Sequence, residues 1–158
     1  MKIMCGNMWT HLNSADLFCI TTNSTITSSG RLVMGAGIAK EARDRFPDIA
    51  LKAGQQIRHL SIYGLIRIGK IGFFQTKLHW ANPSDLFIIQ VSVRKLALYA
   101  NGNSHHQILL NYPGISHGRL SIDQVQPIIQ QLPDNVMVWV RSKNQLNQVE
   151  RAVKNNLF

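Results

Sequence analysis

The chain has 158 residues, 45% apolar and 16% charged, with 17 lysines and arginines against 8 aspartates and glutamates and a formal net charge of +9. That length and apolar content fit one domain with a packed core and exclude a chain too polar to fold. No apolar run approaches the roughly 18 residues of a membrane span, and the N-terminal "MKIMCGNMWTHLNS" has no continuous apolar stretch, so neither an anchor nor a signal peptide is expected.

Taken in chain order, "MKIM" and "DLFCITT" read as short strands, being apolar and rich in β-branched residues. "GIAKEARDRF" reads as a helix ended by Pro47, and "DIALKAGQQIRHL" as a second helix with Asp48 as its N-cap. "SIYGLIRI" and "IGFFQT" read as a strand pair turning at Gly69 and Lys70. "NPSDLFIIQVSVRKLALYA" opens on proline and a capping aspartate, Asp85, and repeats Leu86, Ile89, Val93, Leu96 and Leu98 at near-helical spacing. "HQILLNY" reads as a strand, "SIDQVQPIIQQL" as a helix starting at Ser121, and "NVMVWV" as a buried strand. "RSKNQLNQVERAVKNNLF" reads as a terminal helix with Leu146, Val149 and Val153 on one face. Strands alternating with helices imply an α/β fold, its largely parallel or mixed sheet covered on both faces.

Cys5 and Cys19 are too few for a zinc site or a disulfide framework; both are expected to be buried free thiols in a reducing, cytoplasmic setting. The positive balance draws polyanions, which keeps nucleic acid as a candidate partner. The basic residues are scattered, however, which solvated surface positions explain as well. Trp9 and Trp139 are expected in the core, and Trp80 is expected to pack a helix onto the sheet.

Two glycine-bearing turns stand between a strand and a helix, at the end of the sheet where α/β proteins bind ligands. "VMGAGIAKEARDRFP" lacks the third glycine of the dinucleotide fingerprint and the Gly-Lys-Ser/Thr of a mononucleotide loop. "NYPGISHGRL" is the second turn. Together they can aim backbone N–H groups at a diphosphate from two sides, supported by helix dipoles. The polar stretch "STITSSGRLVM" ahead of the first turn is expected to be flexible enough to fold over a ligand.

"TTN…GRLVMGAGIAKEARDRFP", "FFQTKLHW" and "PGISHGRLSIDQVQPI", in this order, resemble a macro domain. The resemblance is to the branch with the DNA ADP-ribosyl glycohydrolase antitoxins, the glutamate-ADP-ribose hydrolases of animals, and phage and bacterial macro-like proteins. It implies a three-layer α/β/α fold over residues 1–140; the helical pattern of residues 141–158, outside the resemblance, reads as a C-terminal extension of the same domain. The implied ligand is ADP-ribose, with no cofactor and no metal. Gly35, Ala36, Gly37 and Ile38 would form one diphosphate loop, and Gly114, Ile115, Ser116, His117 and Gly118 the other. Asn23 would lie near the distal ribose. Asn7, with Met8 beside it, would lie where many macro domains hold an adenine-binding aspartate; its amide oxygen accepts without carrying charge. Lys77 would lie at the anomeric carbon of the distal ribose, as nucleophile, acid–base group or charge stabiliser.

Two departures stand out. Gly118 occupies the place of the aspartate that the animal hydrolases pair with their lysine. Ser116 replaces a loop glycine, and serine tolerates positive φ less well, so either the loop shifts or the hydroxyl helps bind phosphate. The resulting expectation is a monomeric hydrolase of an ADP-ribosyl linkage on nucleic acid, on a protein ester or on ADP-ribose 1″-phosphate, using Lys77. The alternatives are a non-catalytic module binding ADP-ribose or a related NAD-derived signal, and a basic nucleic-acid-binding protein with a vestigial cleft.

Overall fold

A computed structural model describes residues 1–60 and 64–157. Six strands form one sheet in the order β1-β6-β5-β2-β4-β3: β1 (Lys2–Cys5), β2 (Leu17–Thr22), β3 (Leu65–Ile68), β4 (Ile71–Gln75), β5 (Ile108–Asn111) and β6 (Val136–Val140). All neighbours are parallel except β3, which runs antiparallel to β4 at the edge. The sheet is therefore mixed, as expected. The Ser61–Tyr63 part of the expected first strand of that pair lies outside the described residues.

Alternation along the strands builds two cores. Phe18, Ile20, Phe73 and Leu109 face α1 (Gly37–Arg45) and α2 (Ile49–Leu60), meeting Ile38, Ala42, Ala53 and Ile57. Leu17, Cys19, Phe74, Ile108 and Leu110 face the opposite way. They meet Ile89, Val93 and Leu96 of α3 (Leu86–Gly102), Val125 and Ile129 of α4 (Ile122–Ile129), and Val149 and Ala152 of α5 (Lys143–Asn155). Successive strand residues point to opposite faces, so each strand feeds both layers.

Local chemistry sets the helix starts. Asp85 accepts from Phe87 N, capping α3. Ser121 and Ser142 each form a capping box, with Gln124 and Gln145, at the starts of α4 and α5. α2 begins immediately after Asp48, whose carbonyl accepts from Lys52 N.

Three expectations need correction. Leu98 is 77% exposed, because it stands two residues beyond buried Leu96 and so falls on the far side of α3. Cys5 is exposed at the end of an edge strand; only Cys19 is buried, and burial pushes its thiol above the usual range. Met8–Ser14 forms a 3₁₀ turn that buries Met8 and Trp9, the latter in the core as expected. The stretch ahead of α1 is tied down: Ile26 bridges Leu32, Leu32 N donates to Ala50 O, and Leu32 and Met34 are buried.

That stretch meets α2 at Gly54, where an added Cβ would overlap the Gly30 carbonyl. Alanine would gain about 1 kcal/mol of helix propensity there, but overpacking against backbone costs roughly 1–3 kcal/mol. Gly54→Ala is therefore expected to lower stability despite its better propensity, as a reduced midpoint in chemical denaturation.

Candidate functional site

The cleft opens where the central strands part. β2 pairs with β5 only through Leu17, Phe18 and Cys19, but with β4 as far as Thr22. Past Cys19 the Asn111 side chain takes over: Oδ1 accepts from Thr21 N at 2.9 Å and Nδ2 donates to Thr21 Oγ1 at 2.8 Å. The divergence leaves a cleft of about 840 Å³ at the C-terminal ends of the strands.

Gly35, Ala36, Gly37 and Ile38 line one wall. Gly37, at φ 56°, begins α1, and its N-cap Ala36 offers no side-chain acceptor to the first turn. The free N–H groups and the positive end of the helix dipole thus stand at the cleft. Asn23 lines the cleft beside them, 9% exposed, with its amide engaged at both ends of the loop. Nδ2 donates to Val33 O at 3.0 Å and Oδ1 accepts from Thr25 N at 2.9 Å.

Gly114, Ile115, Ser116, His117 and Gly118 line the facing wall. Gly114 has φ 80°, and a Cβ there would come 2.8 Å from Ile89 Cδ1. Ser116 takes φ 60°, the left-handed conformation that glycine adopts without strain, and remains in the cleft wall; for serine this costs roughly 1–2 kcal/mol. The walls nearly meet, since a Cβ on Gly37 would stand 3.4 Å from His117 Cδ2. At Gly118 a Cβ would come 2.5 Å from Ser84 Oγ, so no side chain fits without displacing Ser84. The loop is further tied by Ser84 N donating to Gly118 O at 2.8 Å.

Lys77 is half-buried between the walls. Its Nζ donates to Asn82 O at 3.0 Å and reaches His117 O at 3.5 Å. Burial, and then the Arg119 charge, hold its pKa below the ordinary lysine range. The segment carrying it is pinned: Trp80 N donates to Thr25 Oγ1 at 3.0 Å, and Arg119 Nη2 donates to Ala81 O at 3.2 Å. Trp80 itself is 55% exposed in the cleft lining, which corrects its expected packing role. His79 accepts from Ala81 N, ordering the turn. None of the described residues lining the cleft is acidic, whereas Lys77, Arg119 and Arg141 are cationic.

Asn7 and Met8 line an adjoining cavity of about 690 Å³ that shares Ile38, Asn111, Trp139 and Arg141 with the cleft. Asn7 Oδ1 accepts from Trp9 N at 3.1 Å, so part of its acceptor capacity caps the 3₁₀ turn. Glu41 stands in the same cavity and joins Trp9 Nε1 to Arg141 Nη2. Trp9 and Trp139 are each 7% exposed, core residues that also form cavity wall.

Six strands in this order, helices on both faces and two glycine turns over the central strand ends make a specific architecture. Its overlay on solved structures decides the fold. The macrodomain of Mycobacterium tuberculosis DarG superposes with a TM-score of 0.68 at 22% identity, over 89% of this chain and 98% of that one. The chain has the macrodomain fold. Thermosipho africanus DarTG in complex with ADP-ribose matches the macrodomain with a TM-score of 0.72 at 16% identity, over 97% of this chain but 46% of that longer one. An Oceanobacillus iheyensis macrodomain with MES bound matches with a TM-score of 0.70 at 14% identity, over 98% and 90% of the two chains. No family model matches the sequence, and no curated protein matches it.

Lys77, Asn23 and both glycine turns thus share one cleft, while Asn7 and Met8 lie next door. Sequence reasoning missed Ser84, Asn111, Arg119, Glu41 and Arg141. Glu41 and Arg141 read as ordinary surface charges because their contact spans 100 positions. Gly118→Ala is expected to destabilise the protein by roughly 1–3 kcal/mol through overpacking. Ser84→Gly in the same chain should cost less than it does alone; strictly additive denaturation free energies would remove the contact as the cause.

Proposed function

We propose that this macrodomain binds ADP-ribose in the cleft and hydrolyses an ADP-ribosyl linkage at C1″ with Lys77. The observation that carries the reading is a half-buried lysine of lowered pKa between two glycine turns, in a cleft whose described lining holds no carboxylate. Backbone N–H donors and the α1 dipole suit a diphosphate. DarTG, an overlay on 97% of this chain, was solved with ADP-ribose.

Without a carboxylate to activate water, the lysine amine is the natural nucleophile. Its lone pair forms a bond to C1″ as the bond to the leaving group breaks, and the proton shed by nitrogen goes to the leaving group. Water then hydrolyses the carbon–nitrogen bond and restores the amine. Trp80 and Arg119 line the same cleft as Lys77. An aromatic face beside a cation, on a chain of net charge +9, favours ADP-ribosylated nucleic acid over a protein ester or ADP-ribose 1″-phosphate. A second reading, binding without turnover, draws on Lys77 bridging Asn82 O and His117 O, which also makes it a tie between segments.

Lys77→Ala is expected to lower kcat/KM on an ADP-ribosylated oligonucleotide by roughly 10²-fold or more while ADP-ribose binding persists in calorimetry. Equal turnover in wild type and variant would sink the lysine mechanism, and no turnover in either would favour the binding module. The reactive form is the neutral amine, so kcat/KM should rise with pH and level off below the usual lysine range. Arg119→Ala removes a positive neighbour, raises the Lys77 pKa and should move that rise to higher pH.

A further inference from the structure

The two cleft walls meet at one side chain. His117 stands in the 3₁₀ turn Ser116–Gly118, and its ring reaches across to the start of α1, where a Cβ on Gly37 would stand 3.4 Å from His117 Cδ2. Cδ2 is bonded to Nε2, so that nitrogen lies beside the contact. The first bond of α1 runs from Lys40 N to Ala36 O at 3.2 Å, which leaves the N–H groups of Gly37, Ile38 and Ala39 without an intrahelical acceptor. An anion held by those groups therefore meets an imidazole from the opposite wall.

The backbone that carries the ring is fixed. Gly118 N donates to Ile115 O at 3.2 Å, Arg119 N donates to Ser116 O at 3.0 Å, and Lys77 Nζ reaches His117 O at 3.5 Å. The ring itself is exposed and makes no hydrogen bond among the described residues. Its charged surroundings are one-sided. Lys77 follows β4, Arg119 stands two residues on, and Arg141 lines the cleft beyond β6. On α1, Lys40 is paired with Asp44 at 2.8 Å and Glu41 with Arg141 at 2.6 Å. None of the described residues lining the cleft offers a carboxylate to the imidazole. Protonating the ring would add a further positive group to a cationic cleft, and a bound diphosphate reverses that balance. Imidazole is also the side chain whose charge changes near neutral pH, at about 6.5 when unperturbed.

We propose that His117 is a ligand-binding residue whose imidazolium closes over the diphosphate at the start of α1, so that binding takes up a proton. This rests on ADP-ribose being the ligand. The test is calorimetry with ADP-ribose on wild type, His117→Asn and His117→Lys, with a denaturation midpoint confirming that each variant is folded. Wild type should bind about threefold or more tightly at about pH 6 than at about pH 8. Near neutral pH it should take up part of a proton, read from the change in binding heat between buffers of different ionisation enthalpy. His117→Asn should keep the weaker, high-pH affinity throughout and take up no proton in this range. His117→Lys, charged throughout, should bind at the higher pH as tightly as wild type does at the lower. The wild-type dependence should persist in a Lys77→Met background, which removes the cleft amine as the source of the proton. Equal proton uptake in wild type and His117→Asn would overturn the assignment. So would a wild-type affinity indifferent to pH, or a dependence that vanishes with Lys77. Absence of ADP-ribose binding by wild type at either pH would instead overturn the ligand, a result separate from any pattern among the variants.

Discussion

Everything at the cleft end of this macrodomain fold depends on one amide side chain. β2 must separate from β5 to open a cleft, yet the Thr21 N–H beyond the last paired residue is left inside the fold and needs an acceptor. Asn111 supplies it and binds the Thr21 hydroxyl with its own nitrogen. The strands can therefore diverge on one side while β2 stays paired to β4 through Thr22. The two turns that follow β2 and β5 are carried apart by this divergence and brought back together at their tips, where His117 overlies Gly37.

The walls are built mainly from backbone, which explains where glycine is needed and where it is not. Gly114 has positive φ and three side chains pressing on its missing Cβ, so conformation and space both require it. Gly118 is required by space alone, with Ser84 filling the volume a side chain would take. Ser116 and Arg119 hold left-handed conformations without being glycine, a strain met by the surrounding hydrogen bonds from Arg119 N to Ser116 O and from Leu120 N to Gly114 O. A carboxylate at position 118, as in the hydrolases that pair aspartate with lysine, would have to displace Ser84.

Local signals made much of this legible in advance. Period-two apolar strands, the helix starts at Asp85 and Ser121, and strand–glycine–helix turns each act within a few residues, so a reading along the chain finds the α/β architecture and both cleft walls. What it misses has non-local causes. The Met8–Ser14 turn is organised by Trp9 packing on Phe18 and bonding Glu41, neither of which leaves a periodic trace. Leu98 joined the apolar stripe by composition, though a helix turns it away from Leu96. Trp80 looked like core by residue type, but the ties from Thr25 and Arg119 hold its segment at the cleft. Ser84 mattered only once Gly118 was seen against it.

The distribution of charge connects binding to chemistry. The acidic groups are spent elsewhere: Asp85 on a cap, Asp44 on Lys40 and Arg43, Asp134 on the N-terminus, and Glu41 on Arg141. The cleft keeps Lys77, Arg119 and the turn amides. That imbalance attracts an anion, while burial and then the Arg119 charge disfavour the ammonium form of Lys77. A bound diphosphate pulls the other way, because its negative charge favours protonated lysine. The conflict is eased if the diphosphate charge is met by the backbone donors and the α1 dipole rather than by the lysine, since those groups cannot lose a proton. If Lys77 is to stay uncharged beside a bound anion, two glycine turns would meet that anion's charge better than a cluster of basic side chains.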